Sequence, residues 1–322
     1  MATFESRVSC LFGTPESAQT GGVSDRRRLR AEQKPEVRVG HWVRPEAERK
    51  FLAAYDALAR QWVSPPTSAD VETGFGSTYV LHWPGTGTPI LLLHGWGVTS
   101  LMWQNLVPLL ADRNVYAIDA IGDAGRSVQR AVLKDAADFA TWLDEVLTAL
   151  QLDEVYLVGL SFGGYLALNQ AARSPHRVAG VVAIEPAGLA KLSPRFYFWG
   201  LACGLAVWAP GWLRRRCAVW LRHGGLTDPA LLRLAYVGML RHRARLPLPP
   251  TPFSDQELRS IATPTLLLLG EKSQIYRPEV VLARTRALIP ALEARVIPGV
   301  GHTLGYDRAN AVAEAIVQAV GV

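Results

Sequence analysis

The chain has 322 residues, 49% hydrophobic and 19% charged. That balance excludes a disordered or fibrous chain and is enough for one large domain, or for a core with a smaller partner. Thirty-four Lys and Arg against 28 Asp and Glu give a net charge of +6, but no nucleic-acid-binding motif accompanies the basic residues, so no nucleic-acid partner is expected. The cysteines Cys10, Cys203 and Cys217 form neither a CxxC pair nor a Cys/His ligand spacing. A disulfide framework and a structural zinc site are therefore not expected, and a reducing, cytoplasmic location is.

Residues 1–45 are polar, contain Arg26-Arg27-Arg28 with Arg30, and lack the charged start, apolar run and cleavage site of a secretory signal. They are expected to form a mobile tail. From there short β-rich runs recur at Thr78–Trp83, Pro89–His94, Val115–Asp119, Val155–Gly159, Gly180–Glu185, Thr265–Gly270 and Ala294–Pro298. Between them Ala136–Leu150, Phe162–Arg173, Pro278–Leu288 and Ala309–Val320 carry apolar residues at helical spacing. This alternation predicts an α/β fold: a mostly parallel sheet with helices on both faces, since parallel neighbours need crossover helices.

The alternation is interrupted between about Ala187 and Phe253, which divides the chain into a core over 46–187 and 253–322 and a helical insertion over 188–252. From Lys191 to Arg245 there are ten basic residues and one acid, Asp228. Within the insertion Phe196 to Leu213 holds no charged side chain and is followed by Arg214-Arg215-Arg216, as a membrane-spanning segment would be. Gly200, Gly204, Pro210 and Gly211 argue instead for a pair of apolar helices. A weak contact with a membrane surface through this basic, Trp-rich insertion is a further expectation.

The run Val155–Gly159 leads into Gly159-Leu160-Ser161-Phe162-Gly163, a G-x-S-x-G turn between strand and helix. Small residues are needed there because the turn that lifts the serine hydroxyl above the sheet is tight and strained. Upstream, Pro89–Leu93 ends in His94-Gly95-Trp96-Gly97. The backbone N–H groups of Trp96 and Phe162 are the expected oxyanion donors. No phosphate loop, dinucleotide fingerprint or metal-ligand cluster is present, so no cofactor and no metal are expected.

These motifs, with Asp119-Ala-Ile-Gly-Asp-Ala-Gly-Arg-Ser127 and Gly299-Val-Gly-His302, make residues 50–322 resemble the α/β-hydrolase superfamily, in particular bacterial carboxylesterase-like members with a lid inserted after the sixth strand. The resemblance implies that His302 is the general base and that Asp119 and Asp123 hold the oxyanion loop, while His94 braces it. The remaining histidines, His41, His82, His176, His223 and His242, are expected to be structural or solvated. The family's usual post for the acid holds Ser273, which cannot carry the required charge. Some relatives place the acid after the sixth strand, where this chain has Glu185. Glu271 and the absence of any working acid are the alternatives. The expected function is a cofactor-free serine hydrolase that cleaves an ester with an apolar acyl or ring portion through an acyl-enzyme. A catalytically weak ligand-binding protein and a membrane-surface lipase are the competing readings.

Overall fold

A computed structural model describes residues 39–110, 112–227 and 229–321; Cys10, the Arg26–Arg30 cluster and Asp228 lie outside them. Eight strands build the main sheet: β1 (Thr67–Thr73), β2 (Gly76–Trp83), β3 (Thr86–Leu93), β4 (Arg113–Ile118), β5 (Val155–Leu160), β6 (Val178–Ile184), β7 (Thr265–Gly270) and β8 (Leu292–Ile297). Their order is β8-β7-β6-β5-β3-β4-β2-β1, with the two-residue strand Val128–Gln129 beside β2. The pairs from β8 through β4 are parallel, and β2 pairs antiparallel with both β4 and β1.

The central strands are buried on both faces, which is why they read as continuous apolar runs. Alternate residues separate into two cores, as a side-chain period of two requires. Leu91, Leu93, Leu157, Val181, Leu267 and Leu269 face one core with the helices α2 (Ala136–Ala149) and α3 (Phe162–Arg173). Ile90, Leu92, Val158, Val182, Leu266 and Leu268 face the other, with Phe51 and Tyr55 of α1 (Pro45–Ala59) and Ile316 near the C-terminus.

Two elements were not expected. Strand β1, Thr-Ser-Ala-Asp-Val-Glu-Thr, lies at the sheet edge with only Val71 buried, so it carries no apolar run. Helix α1 begins at Pro45, and before it His41–Trp42 pairs antiparallel with His242–Arg243. The expected tail boundary near 45 is therefore corrected: the chain is hydrogen-bonded into the fold by residue 41.

Between β6 and β7 the chain forms α4 (Pro194–Ala206), α5 (Gly211–Leu221) and α6 (Ala230–Arg241). Pro210 separates the first two, so the apolar run from Phe196 to Leu213 is a helix pair. Among the described residues no helix is long and apolar enough to cross a membrane. The pair has its own small core of Cys203, Ala206, Val207, Ala218, Leu221 and Leu226. In α2, Trp142 is fully buried and its indole N–H donates to Thr78 Oγ1 at 2.9 Å. Replacing Trp142 by Ala is expected to cost about 3–5 kcal/mol, measured by urea unfolding, because it opens a cavity and orphans the Thr78 hydroxyl.

Candidate active site

Register alone brings the site together. Leu93 pairs with Gly159, Leu160 with Ile184, Ile184 with Leu268, and Gly270 with Ile297. The C-terminal ends of five parallel strands are therefore level, and the segments leaving them carry every candidate residue, at the edge where open α/β sheets place their ligands.

Ser161 sits between β5 and α3 with φ 55° and ψ −113°, a strained backbone for a residue with a side chain. A Cβ on Gly159 would lie 2.2 Å from the Gly163 carbonyl, and one on Gly163 would lie 1.9 Å from Leu93 O. The glycine spacing read in the sequence is thus imposed by backbone packed on backbone. Ser161 N donates to Ile184 O, and Ser161 O accepts from Ala187 N, each at 2.9 Å, so the serine is tied to β6 on either side of Glu185.

Glu185 is completely buried and, like Ser161, has a left-handed backbone, with φ 45°. Its N–H donates to Leu268 O at 2.8 Å. Its Oε1 accepts from Gly270 N at 2.7 Å, and its Oε2 accepts from Ser273 Oγ at 2.6 Å. The same Oε2 faces His302 Nδ1 at 3.3 Å. A buried carboxylate needs such donors to replace water. With Nδ1 turned to Glu185, His302 keeps Nε2 free of the carboxylate. Glu271, the alternative acid, is on the surface instead, where it accepts from Lys272 Nζ at 2.7 Å and from Gly299 N at 2.9 Å. Lys272 first, then Gly299 N–H, keep its carboxyl below the usual range.

His302 N–H donates to Gln274 Oε1 at 2.8 Å, and its ring meets Phe196 and Trp199 of α4 edge-on at 5.2 and 6.0 Å. Among the described residues no hydrogen bond joins His302 to Ser161 Oγ, an open arrangement that is common before substrate closes a site. Trp199 also stacks on His223, which is buried with Nδ1 unpartnered. Burial first, then His302, lowers the His223 pKa to about 4, so His223 is neutral at pH 7. Local sequence pattern does not reveal that Phe196 and Trp199 pack on the histidine and His223 behind Trp199, because their approach depends on how the insertion folds back.

The loop over residues 94–97, expected from the sequence to hold an oxyanion, is fixed by buried hydrogen bonds. Ala120 N–H can only donate, so its 2.8 Å bond to His94 Nε2 places the ring proton on Nδ1, which donates to Gly95 O at 2.7 Å. Asp119 accepts from Ser100 N and Oγ and from Arg126 N. Asp123 accepts from Gly97 N at 2.6 Å and Ala124 N at 2.8 Å. Gly97 N–H is thus taken, whereas Trp96 N–H has no acceptor among the described residues. Phe162 is the first residue of α3, so its N–H has no partner within the helix. Gly95 lies against Ser161, its Cβ position 3.4 Å from the serine Cβ.

Sheet order, the turn at Ser161 and the insertion between β6 and β7 define an α/β-hydrolase fold. The family model described as alpha/beta hydrolase family matches residues 90–315, and the chain belongs to that family. It is 30% identical over 283 residues to carboxylesterase YbfK of Bacillus subtilis, covering 84% of this chain and 94% of that protein. The crystal structure of naproxen esterase from Bacillus subtilis superposes with a TM-score of 0.75 at 28% identity, covering 85% of this chain and 98% of that one. That of carboxylesterase CesB (YbfK) gives 0.73 at 28% identity, over 86% and 100%.

Burial raises the Asp123 carboxyl from 3.8 to about 6, against the lowering effect of its two N–H donors from Gly97 and Ala124. Between about pH 4 and 6 the folded chain therefore holds a proton that the unfolded chain releases. Stability contributed by this group is complete below pH 4 and is lost as pH rises through 6. Urea unfolding is expected to show that downward slope for the native chain relative to Asp123→Asn, and no further divergence above it.

Proposed function

We propose that the protein is a cofactor-free carboxylesterase in which Ser161 is the nucleophile, His302 the general base and Glu185 the acid that orients it. The observation that carries this reading is the buried Glu185 carboxylate, held by Gly270 N and Ser273 Oγ and facing His302 Nδ1. Ser273, whose presence at the usual acid position motivated a non-catalytic reading, here donates a hydrogen bond to the relocated acid. The carboxylesterase relatives support an ester as substrate.

In this mechanism Ser161 Oγ attacks the ester carbonyl carbon while His302 Nε2 takes the hydroxyl proton. The oxyanion forms beside Trp96 and Phe162 N–H, and the α3 N-terminus favours its charge. Collapse expels the alcohol, which receives the proton from His302. Water, deprotonated by the same nitrogen, then attacks the acyl carbonyl; collapse breaks the acyl bond to Ser161 Oγ, which takes the proton back from His302 as the carboxylic acid leaves.

The inserted helices act as a lid. Met239 of α6 lies over Gly97, where an added Cβ would meet its sulfur at 2.8 Å. A cavity of about 650 Å³ opens beside Ser273, with Phe198, Trp199, Trp220, Arg195 and Arg222 on its insertion side and Glu271, Lys272 and Arg277 facing them. The rings of Phe196 and Trp199 against His302 support a substrate with an apolar acyl or ring portion. Cys203 and Cys217 are both free within the α4–α5 pair, which suits a cytoplasmic location.

A fluorophosphonate probe is expected to label Ser161, located by mass spectrometry, and Ser161→Ala to abolish both labelling and hydrolysis. Glu185→Gln is expected to lower kcat/KM by about 10²-fold or more. A folded protein that resists the probe, or unchanged activity in Glu185→Gln, would contradict the assignment. Among p-nitrophenyl esters, medium-chain acyl groups are expected to exceed acetate in kcat/KM, and a preference for acetate would remove the apolar acyl site.

A further inference from the structure

The insertion turns an apolar surface outward. On α4 Phe198, Leu201 and Leu205 follow helical spacing, and on α5 Trp212, Val219 and Trp220 do the same; all six are between 59% and 81% exposed. The inner sides of both helices meet in the core of Cys203, Ala206, Ala218 and Leu221. Phe198 and Trp220 line one cavity, so the two helices adjoin at these residues. Six large apolar side chains turned to solvent on two packed helices mark a contact surface rather than ordinary solvent-facing protein.

Its charge says what it contacts. Helices α4, α5 and α6 contain no Asp or Glu. Arg215 and Arg216 are exposed on α5, the guanidinium of Arg216 lies 5.8 Å from the Trp212 ring, and that of Arg233 lies 5.7 Å from the Trp208 ring. Glu271 and Glu279, at the cavity rim, belong to the core, and Glu271 is paired with Lys272. A second copy seated on this face would bring the same arginines against each other, since a two-fold contact apposes like with like. A bilayer meets both requirements at once. Trp and Leu enter the boundary between headgroups and acyl chains, and Arg pairs with anionic headgroups at its level.

We propose that the outer face of α4 and α5 docks on an anionic lipid bilayer, lying in the interface without spanning it. The attraction has two parts that can be separated. The apolar part is insensitive to salt, and the arginine part is screened by it.

The test is co-sedimentation of the full chain with sucrose-loaded vesicles, either phosphatidylcholine alone or phosphatidylcholine mixed with phosphatidylglycerol. The native chain is expected to sediment with the mixed vesicles at low salt, less so at high salt, and to stay in solution with phosphatidylcholine alone. Arg215→Gln with Arg216→Gln is expected to lower partitioning roughly 30-fold, from about 1 kcal/mol for each arginine near the surface. Leu205→Ser with Trp212→Ser is expected to remove binding while hydrolysis of a soluble ester stays at the native rate, which reports an intact fold. The proposal is overturned if the native chain ignores anionic vesicles at low salt, or if the Leu205/Trp212 variant binds them equally well. It is equally overturned if sedimentation velocity shows a dimer that the same pair dissolves, because a second copy then covers the face. Should the native chain hydrolyse no ester, the enzymatic assignment fails while the vesicle result stands by itself.

Discussion

The site depends on a single constraint: the parallel register that sets the ends of β3, β5, β6, β7 and β8 level with one another. Ser161 and Glu185 each follow a strand whose last residues, Leu160 and Ile184, are paired partners. Two backbone bonds, from Ser161 N to Ile184 O and from Ala187 N to Ser161 O, then lock the two loops together. A one-residue slip between β5 and β6 would send Ile184 to the opposite face of the sheet and carry Glu185 away from His302. The alternation that buries Val182 in one core and Val181 in the other is therefore also what aims the acid.

With Glu185 as the proposed acid at the end of β6, the rest of the site must provide something different. Glu185 is fully buried, so every oxygen needs a donor, and those donors come from the neighbouring strand β7 and the loop after it, through Gly270 N–H and the Ser273 hydroxyl. Ser273 donates to Glu185 from the position where the sequence resemblance expects the acid itself. The exchange keeps a carboxylate beside His302 Nδ1 but makes it a charge shielded by three elements. Glu271, two residues away and exposed, has Lys272 and Gly299 for partners and does not reach the histidine.

Much of the molecule was legible in the sequence for stated reasons. The central strands announce themselves because burial on both faces demands uninterrupted Val, Leu and Ile. Helices Phe162–Arg173, Pro278–Leu288 and Ala309–Val320 are observed with the expected bounds, since Ser161 and the Pro at 278 mark their starts. The G-x-S-x-G spacing is legible because Gly159 and Gly163 press against each other and against Leu93 with no room for a side chain. Strand β1 escaped because an edge strand with one buried residue carries no apolar signal. The neighbours of His302 in the insertion escaped for another reason: Phe196 and Trp199 lie more than a hundred residues away along the chain, and local pattern contains nothing about such a contact.

That contact has a consequence for how the molecule can change. Trp199 touches His302 with one side and His223 with the other, while its indole N–H donates to Leu221 O at 2.7 Å. The insertion therefore supplies part of the mounting of the histidine as well as part of the cavity wall. A foreign insertion grafted between β6 and β7 would bring new cavity walls and at the same time leave the imidazole without one of its supports. Replacement of this segment is thus coupled to the proposed catalytic histidine, and a transplant that keeps its support would carry aromatic residues at the positions of Phe196 and Trp199.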